Sequence, residues 1–164
     1  MDRIAEAALT DGRKLQYVIS DHPPRGGMKY TYFTPDRSQV VQFFLRPDEA
    51  RDPDVRKRLE AIIGKYNPTR SEAQGGAQGN SEAMAEYFSK SFCWPSAIVE
   101  SPEFGVVCPA YPQNFLFQAG ASAALELAGK DKRSNWFTTR NRRFLQPKEL
   151  GDFRSMLQMS IVLA

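Results

Sequence analysis

Residues 14–44, KLQYVISDHPPRGGMKYTYFTPDRSQVVQFF, decide the fold. The run KLQYVIS (residues 14–20) is rich in β-branched and aromatic side chains and reads as a strand. Asp21, His22, Pro23, Pro24, Arg25, Gly26 and Gly27 then stop it, because proline and glycine set backbone angles that a strand does not use. Residues 30–33 (YTYF) and 39–44 (QVVQFF) are two further strand-like runs. Between them, Thr34, Pro35, Asp36 and Arg37 make a turn sequence with proline at a favoured position. The three runs predict an antiparallel meander.

Beyond residue 44 the pattern shifts to helix. Pro53 and Asp54 are start signals, and Val55, Leu59, Ile62, Ile63 and Tyr66 then recur at helical spacing until Asn67 and Pro68 end the segment. Residues 71–81 (SEAQGGAQGNS) hold no large apolar side chain and predict a flexible loop. Residues 82–92 predict a second helix. Residues 96–99 and 105–108 predict a hairpin, followed by a segment bracketed by Pro109 and Pro112. Alanine-rich residues 119–129 predict another helical stretch, residues 130–146 are basic and irregular, and residues 151–164 predict an apolar terminal helix. The order describes an α+β domain with a five-stranded antiparallel sheet, then a linker and a C-terminal helix. On this division residues 1–112 form one domain, and residues 113–164 are a linker with the start of further helices.

The composition excludes several classes. At 164 residues with 41% hydrophobic and 25% charged content, the chain has the make-up of an ordinary globular domain. Two cysteines, Cys93 and Cys108, and a single histidine, His22, offer neither a disulfide scaffold nor a zinc-ligand spacing. The start, MDRIAE, lacks the apolar core of a signal peptide, and no apolar run approaches the length of a membrane span, so the cytoplasm is the expected compartment and no membrane partner is expected. The net charge of +3 comes from basic residues scattered along the chain, with one local concentration at Lys130, Lys132, Arg133, Arg140, Arg142 and Arg143. That cluster is read as a solvated face, with a phosphate- or partner-binding patch as the alternative.

Three features carry a resemblance: residues 24–29 (PRGGMK), the turn Trp94, Pro95, Ser96 and Ala97, and residues 105–111 (GVVCPAY). In this order they resemble the N-terminal lobe of an atypical bacterial protein-kinase-fold group associated with tellurium resistance and phosphatases. The resemblance implies a protein-kinase small-lobe fold with a hinge after its fifth strand, and it implies ATP and Mg2+ as cofactors. Arg25, Gly26, Gly27 and Lys29 would then meet the phosphates, because glycines let backbone N–H groups approach phosphate oxygens. Val18, Val41, Val107, Pro109 and Tyr111 would line the adenine site. Gln42 stands where the family carries a lysine, and Glu60 is the expected helix partner, with Glu86 as second choice.

The catalytic aspartates of a kinase belong to its other lobe, and Asp152, before the predicted last helix, reads as an N-cap. No catalytic residue and no metal ligand are therefore expected in this chain, and serine/threonine phosphotransfer would need a C-terminal kinase lobe. The other reading is a non-catalytic interaction or scaffold module whose partner, a kinase lobe, a phosphatase or a stress-response protein, covers residues 151–164. Nucleic-acid binding through Trp136, Phe137 and the arginines is a weaker third reading.

Overall fold

The computed structural model describes residues 3–132 and 135–150. The chain divides into two compact units at Ala110/Tyr111. The first carries six strands: β1 (Arg3–Leu9), β2 (Lys14–Ile19), β3 (Lys29–Phe33), β4 (Gln39–Phe44), β5 (Ala97–Ser101) and β6 (Gly105–Pro109). They form one sheet in the order β2-β1-β5-β6-β4-β3, and every neighbouring pair is antiparallel.

The α+β class and the antiparallel sheet agree with the sequence reading, but the sheet has six strands where five were expected. The additional one is β1, and it rearranges the pairing. The expected meander of the first three runs does not form: β2 pairs with β1, from Arg3↔Ile19 to Ala8↔Lys14, and β3 pairs with β4. The β1–β2 hairpin turns at Gly12, whose φ of +84° is a conformation glycine adopts without strain. Residues 3–9, RIAEAAL, contain three alanines and two charges, so β1 lacks the β-branched signature of a strand. It is recruited by its neighbours, with Ala7 and Leu9 buried against β2 and β5.

One face of every strand points into a common core. Ala7, Leu9, Tyr17, Val41, Phe43, Ala97, Val99 and Val107 pack together, with Ala5, Leu15, Ile19 and Tyr32 around them. A flat sheet would hold β2 and β3 roughly 24 Å apart, five strand spacings. Instead the Tyr17 and Tyr32 rings lie 5.4 Å apart, and each contacts Phe43, at 5.5 and 5.8 Å. The sheet is therefore curled into a nearly closed barrel. A register shift between Ala8 and Leu9 on the β1–β5 pairing adds local bend of the kind a bulge supplies.

The opposite face of the central strands is apolar too. Val40, Phe44, Ile98, Phe104, Val106 and Cys108 pack with Ala50 of α1 (Pro47–Ala50) and with Leu59 and Ile63 of α2 (Pro53–Ile63). Helix α2 begins at Asp52, whose carboxylate accepts from the Asp54 and Val55 N–H groups, with proline in the first turn. Near its other end, Trp94 Nε1 donates to the Ile62 carbonyl at 2.9 Å, and Asn67 Nδ2 donates to the Ile63 carbonyl at 2.9 Å. The helix end is thus capped locally by Asn67 and tied to the distant segment at Trp94.

Residues 67–81 form a hydrogen-bonded loop, which includes the stretch 71–81 that the sequence predicts as flexible. Asn80 Nδ2 donates to the Pro68 and Arg70 carbonyls, and Asn67 Oδ1 accepts from both the N–H and the hydroxyl of Thr69. A Cβ on Gly76 would fall 2.1 Å from the Arg70 carbonyl oxygen, so this glycine is required by close approach. Composition reports the lack of apolar bulk here, but not the hydrogen bonds of buried amides. Helix α3 (Glu82–Ser91) follows, capped by the Ser81 hydroxyl accepting from the Met84 N–H.

The second unit has its own small core of Phe117, Ala121, Leu127 and Leu145, flanked by Trp136, Phe137 and Leu150. Residues 119–129 form turns rather than the expected helix. Gly120 and Gly129 sit at φ +76° and +77°, and the chain folds back so that the Phe117 N–H donates to the Lys130 carbonyl. Among the described residues of this unit, regular structure is limited to α4 (Asn135–Thr138) and short 3-10 turns at Gln113–Phe115, Arg140–Phe144 and Pro147–Glu149. The expected helix at 151–164 and the cap at Asp152 lie outside the described residues.

Two predictions follow from this packing. A Cβ on Gly105 would fall 2.4 Å from the Gln42 carbonyl oxygen on the adjacent strand. Gly105→Ala should therefore cost about 2–3 kcal/mol in chemical denaturation, and an unchanged midpoint would show that the two strands are not held this closely. In the β3–β4 turn, hydrogen bonds from Thr34 and Ser38 hold the Asp36 carboxyl down at about 2, against an ordinary 3.8. A depressed carboxylate stabilises the turn above its ordinary value and loses that contribution as pH falls through the folded value. An NMR titration should place the Asp36 midpoint near 2, with turn amide shifts moving between about pH 4 and 2, and a midpoint near 3.8 would contradict the geometry.

Candidate functional site

The β3–β4 register places Lys29 opposite Phe44 and Thr31 opposite Gln42. With a side-chain period of two, Lys29, Thr31 and Phe33 share a face with Val40, Gln42 and Phe44, which is the helix-covered face and not the barrel interior. On it, Lys29 Nζ donates to Gln42 Oε1 at 3.4 Å and rides 5.1 Å above the Phe44 ring. Gln42 Nε2 donates to the Thr31 hydroxyl at 3.4 Å, and the Cys108 thiol approaches Gln42 Oε1 at 3.9 Å. Gln42 is the hub of a small polar island on an apolar face, and Lys29 forms no ion pair among the described residues.

The glycine turn has its own internal pairing. The Gly26 N–H donates to the Lys29 carbonyl, the Thr31 N–H donates to the Pro24 carbonyl, and Arg25 bridges to Tyr30 with its guanidinium 5.5 Å from that ring. A Cβ would meet only ordinary contact at Gly26 and open space at Gly27. The Gly26 N–H is thus spent on the turn itself, and neither glycine is demanded by a close approach within the chain.

Of the residues expected to line an adenine site, Val18 and Val41 of the first unit lie on opposite faces of the sheet. Leu15, Tyr17 and Ile19 point into the barrel, so Val18 points out, where it faces the exposed Ile4 across the strand pair. Val41 and Val107 are direct cross-strand partners inside the barrel, 0% and 2% exposed, with core on every side. Pro109 is exposed at the end of β6, and Tyr111 is an exposed residue of the second unit. Glu60 pairs with Arg56 at 3.0 Å, and Arg56 also binds Glu100, which tethers α2 to β5. Glu86 pairs with Lys90. Neither glutamate pairs with Lys29. Among the described residues no group of three His, Cys, Asp or Glu side chains is placed to hold a metal ion.

What the structure presents is a helix face. Only Ala85 of α3 is buried, against a cleft of about 360 Å3 shared with Thr69 and Gln74 of the packed loop. Met84, Tyr87 and Phe92 are 48%, 51% and 48% exposed. Tyr87, Phe88 and Phe92 form a chain of ring contacts at 5.5 and 5.9 Å. The spacing 84, 87, 88, 92 is helical and readable in the sequence, but whether such a stripe faces core or solvent depends on what folds against it. No family model, curated protein or solved structure matches the chain.

Burial pushes the Cys93 and Cys108 thiols above their ordinary value, the nearby Lys29 charge only partly opposing this at Cys108. A raised thiol is protonated and a poor nucleophile at neutral pH. At pH 8 the native chain should alkylate more slowly than free cysteine, with the buried Cys108 slower than the half-buried Cys93. Mass spectrometry of a time course checks the order, and equal rates would show that β6 opens as readily as the segment before β5.

Proposed function

We propose that this chain is a non-catalytic interaction module that docks a protein partner through the aromatic face of α3. The observation that carries the proposal is the exposed Met84 and Tyr87 of α3, joined through the half-buried Phe88 to the exposed Phe92 just past the helix end, on a helix that buries a single residue of its own. Contiguous apolar surface of this kind is costly to leave in water and marks contact surfaces. Tyrosine and phenylalanine supply large contact area at low conformational cost, as binding anchors do. Ala85, Glu82, Glu86 and Ser89 of the helix line a cleft with Thr69 and Gln74 of the loop held by buried asparagines, which leaves the aromatic side chains turned away from it.

The nucleotide-binding reading, as the first lobe of a serine/threonine kinase-like protein, rests on the resemblance alone. In its favour stands Lys29, a half-buried cation without a carboxylate partner among the described residues. Against ranking it first stand the Gly26 N–H already paired within its turn, and Val18 and Val41 on opposite faces of the sheet.

Tyr87→Ser combined with Phe92→Ser should leave stability within about 1 kcal/mol, as for solvent-exposed side chains. A photo-crosslinking residue at position 87 should trap a discrete partner in cells, while the same residue at Lys57 should not. A loss of several kcal/mol in the double variant would make the stripe part of the fold and sink the docking role. Saturable ATP–magnesium binding by calorimetry, abolished by Lys29→Ala, would restore the nucleotide reading to first place.

A further inference from the structure

The second unit carries a basic groove that the proposed docking role does not use. Between Lys130 and Leu150 the sequence holds seven basic residues against two acidic ones. One of the acids, Glu149, is taken by Lys132 at 3.1 Å, and the other, Asp131, is engaged elsewhere. Arg140, Arg142 and Arg143 form no ion pair among the described residues. Arg140, Arg142 and Arg143, with Thr139, Leu145 and Leu150, border a single open groove of about 520 Å3.

The local fold explains why they converge. The 3-10 turn Arg140–Phe144 is capped by the Thr139 hydroxyl, which accepts from the Asn141 N–H, and it is anchored by Leu145 in the core of the unit. A tight turn brings residues 140, 142 and 143 together instead of spreading them as a strand would. The Arg143 guanidinium packs 4.7 Å from the centre of the Phe144 ring, which restricts its orientation. Leu145 is buried and Leu150 half-buried beside the groove, while the three arginines are exposed and open to a ligand from solvent.

We propose that this groove is a binding site for a small ligand carrying two or more phosphoryl groups. Arginine presents a planar fork that matches phosphate oxygens in pairs, and its charge is constant with pH. Several guanidiniums in one groove suit several phosphoryl groups in one molecule. A nucleic-acid strand fits less well, because the aromatics it would need for base stacking are engaged in the core. Trp136 packs edge-on to Phe117 at 5.8 Å, and Phe137 stacks on it at 6.4 Å.

The test is an NMR titration of the full chain with inorganic tripolyphosphate, following the amides of residues 139–145, repeated with Arg140→Gln, Arg142→Gln, Arg142→Lys and Lys65→Gln. The expected result is saturable binding confined to those amides and weakened about tenfold by each Arg→Gln change, as the loss of one charge-assisted pair implies. Arg142→Lys should fail to restore affinity, and Lys65→Gln should change nothing. Shift mapping on the unaltered chain gives an answer even where a variant fails to fold. No saturation, equal weakening by Lys65→Gln, or full rescue by lysine would each overturn the site, reducing it to a diffuse cationic surface. Tighter binding of single-stranded oligonucleotides, growing with their length, would overturn the small-ligand assignment.

Discussion

The contact of Tyr17, Tyr32 and Phe43 is the interaction on which the first unit depends. These rings lie on β2, β3 and β4, and β2 and β3 are the two edges of the sheet. Edges that met through backbone hydrogen bonds would form a closed barrel; here the seam is bridged by side chains. Each aromatic pair adds about 0.5–1.5 kcal/mol beyond the area it buries. The larger gain is indirect, because curling lets six narrow apolar stripes share one interior. Burial in turn pushes the Tyr17 and Tyr32 hydroxyls above their ordinary value, with nearby charge and tyrosines adding to it, so both rings stay neutral at physiological pH.

The curl has a consequence for the central strands. β4, β5 and β6 are apolar on both faces, and their outer face is left uncovered by the barrel. Helix α2 covers it with Leu59 and Ile63, and three unrelated groups hold that helix in place: Trp94 and Asn67 near its C-terminal end, and Glu100 through Arg56 near its start. The Trp-Pro turn that the resemblance had singled out thus serves the helix–sheet layer, while Glu60 pairs with Arg56 along its own helix. Gln42, on the same face, bridges Lys29, Thr31 and Cys108, which is a structural use for an amide.

The surface of this chain offers contacts of two kinds, each by itself. The first unit presents an aromatic helix face whose apolar character suits another protein. The second presents three exposed arginines beside a small apolar core, a charge density that suits phosphoryl oxygens. Neither depends on the residues expected to hold ATP, and each follows from a local element: a capped helix on a hydrogen-bonded loop, and a capped 3-10 turn on a small core.

The sequence by itself determined the α+β class, the β3–β4 and β5–β6 hairpins, both longer helices and the turn at Thr34 to Arg37, because each is set by local periodicity or turn chemistry. It did not disclose β1, since an alanine-rich run becomes a strand only when β2 and β5 supply its hydrogen bonds. It did not disclose the order of the loop at 67–81, where buried asparagines do the work of apolar side chains. Nor could it place the candidate site residues. Strand register decides that Val41 faces inward and Gln42 outward, and sheet curl decides which faces are covered. Tertiary structure alone settled that the stripe on α3 faces solvent, because helical spacing is the same for a core face and an exposed one; what differs is whether another layer of the fold reaches it.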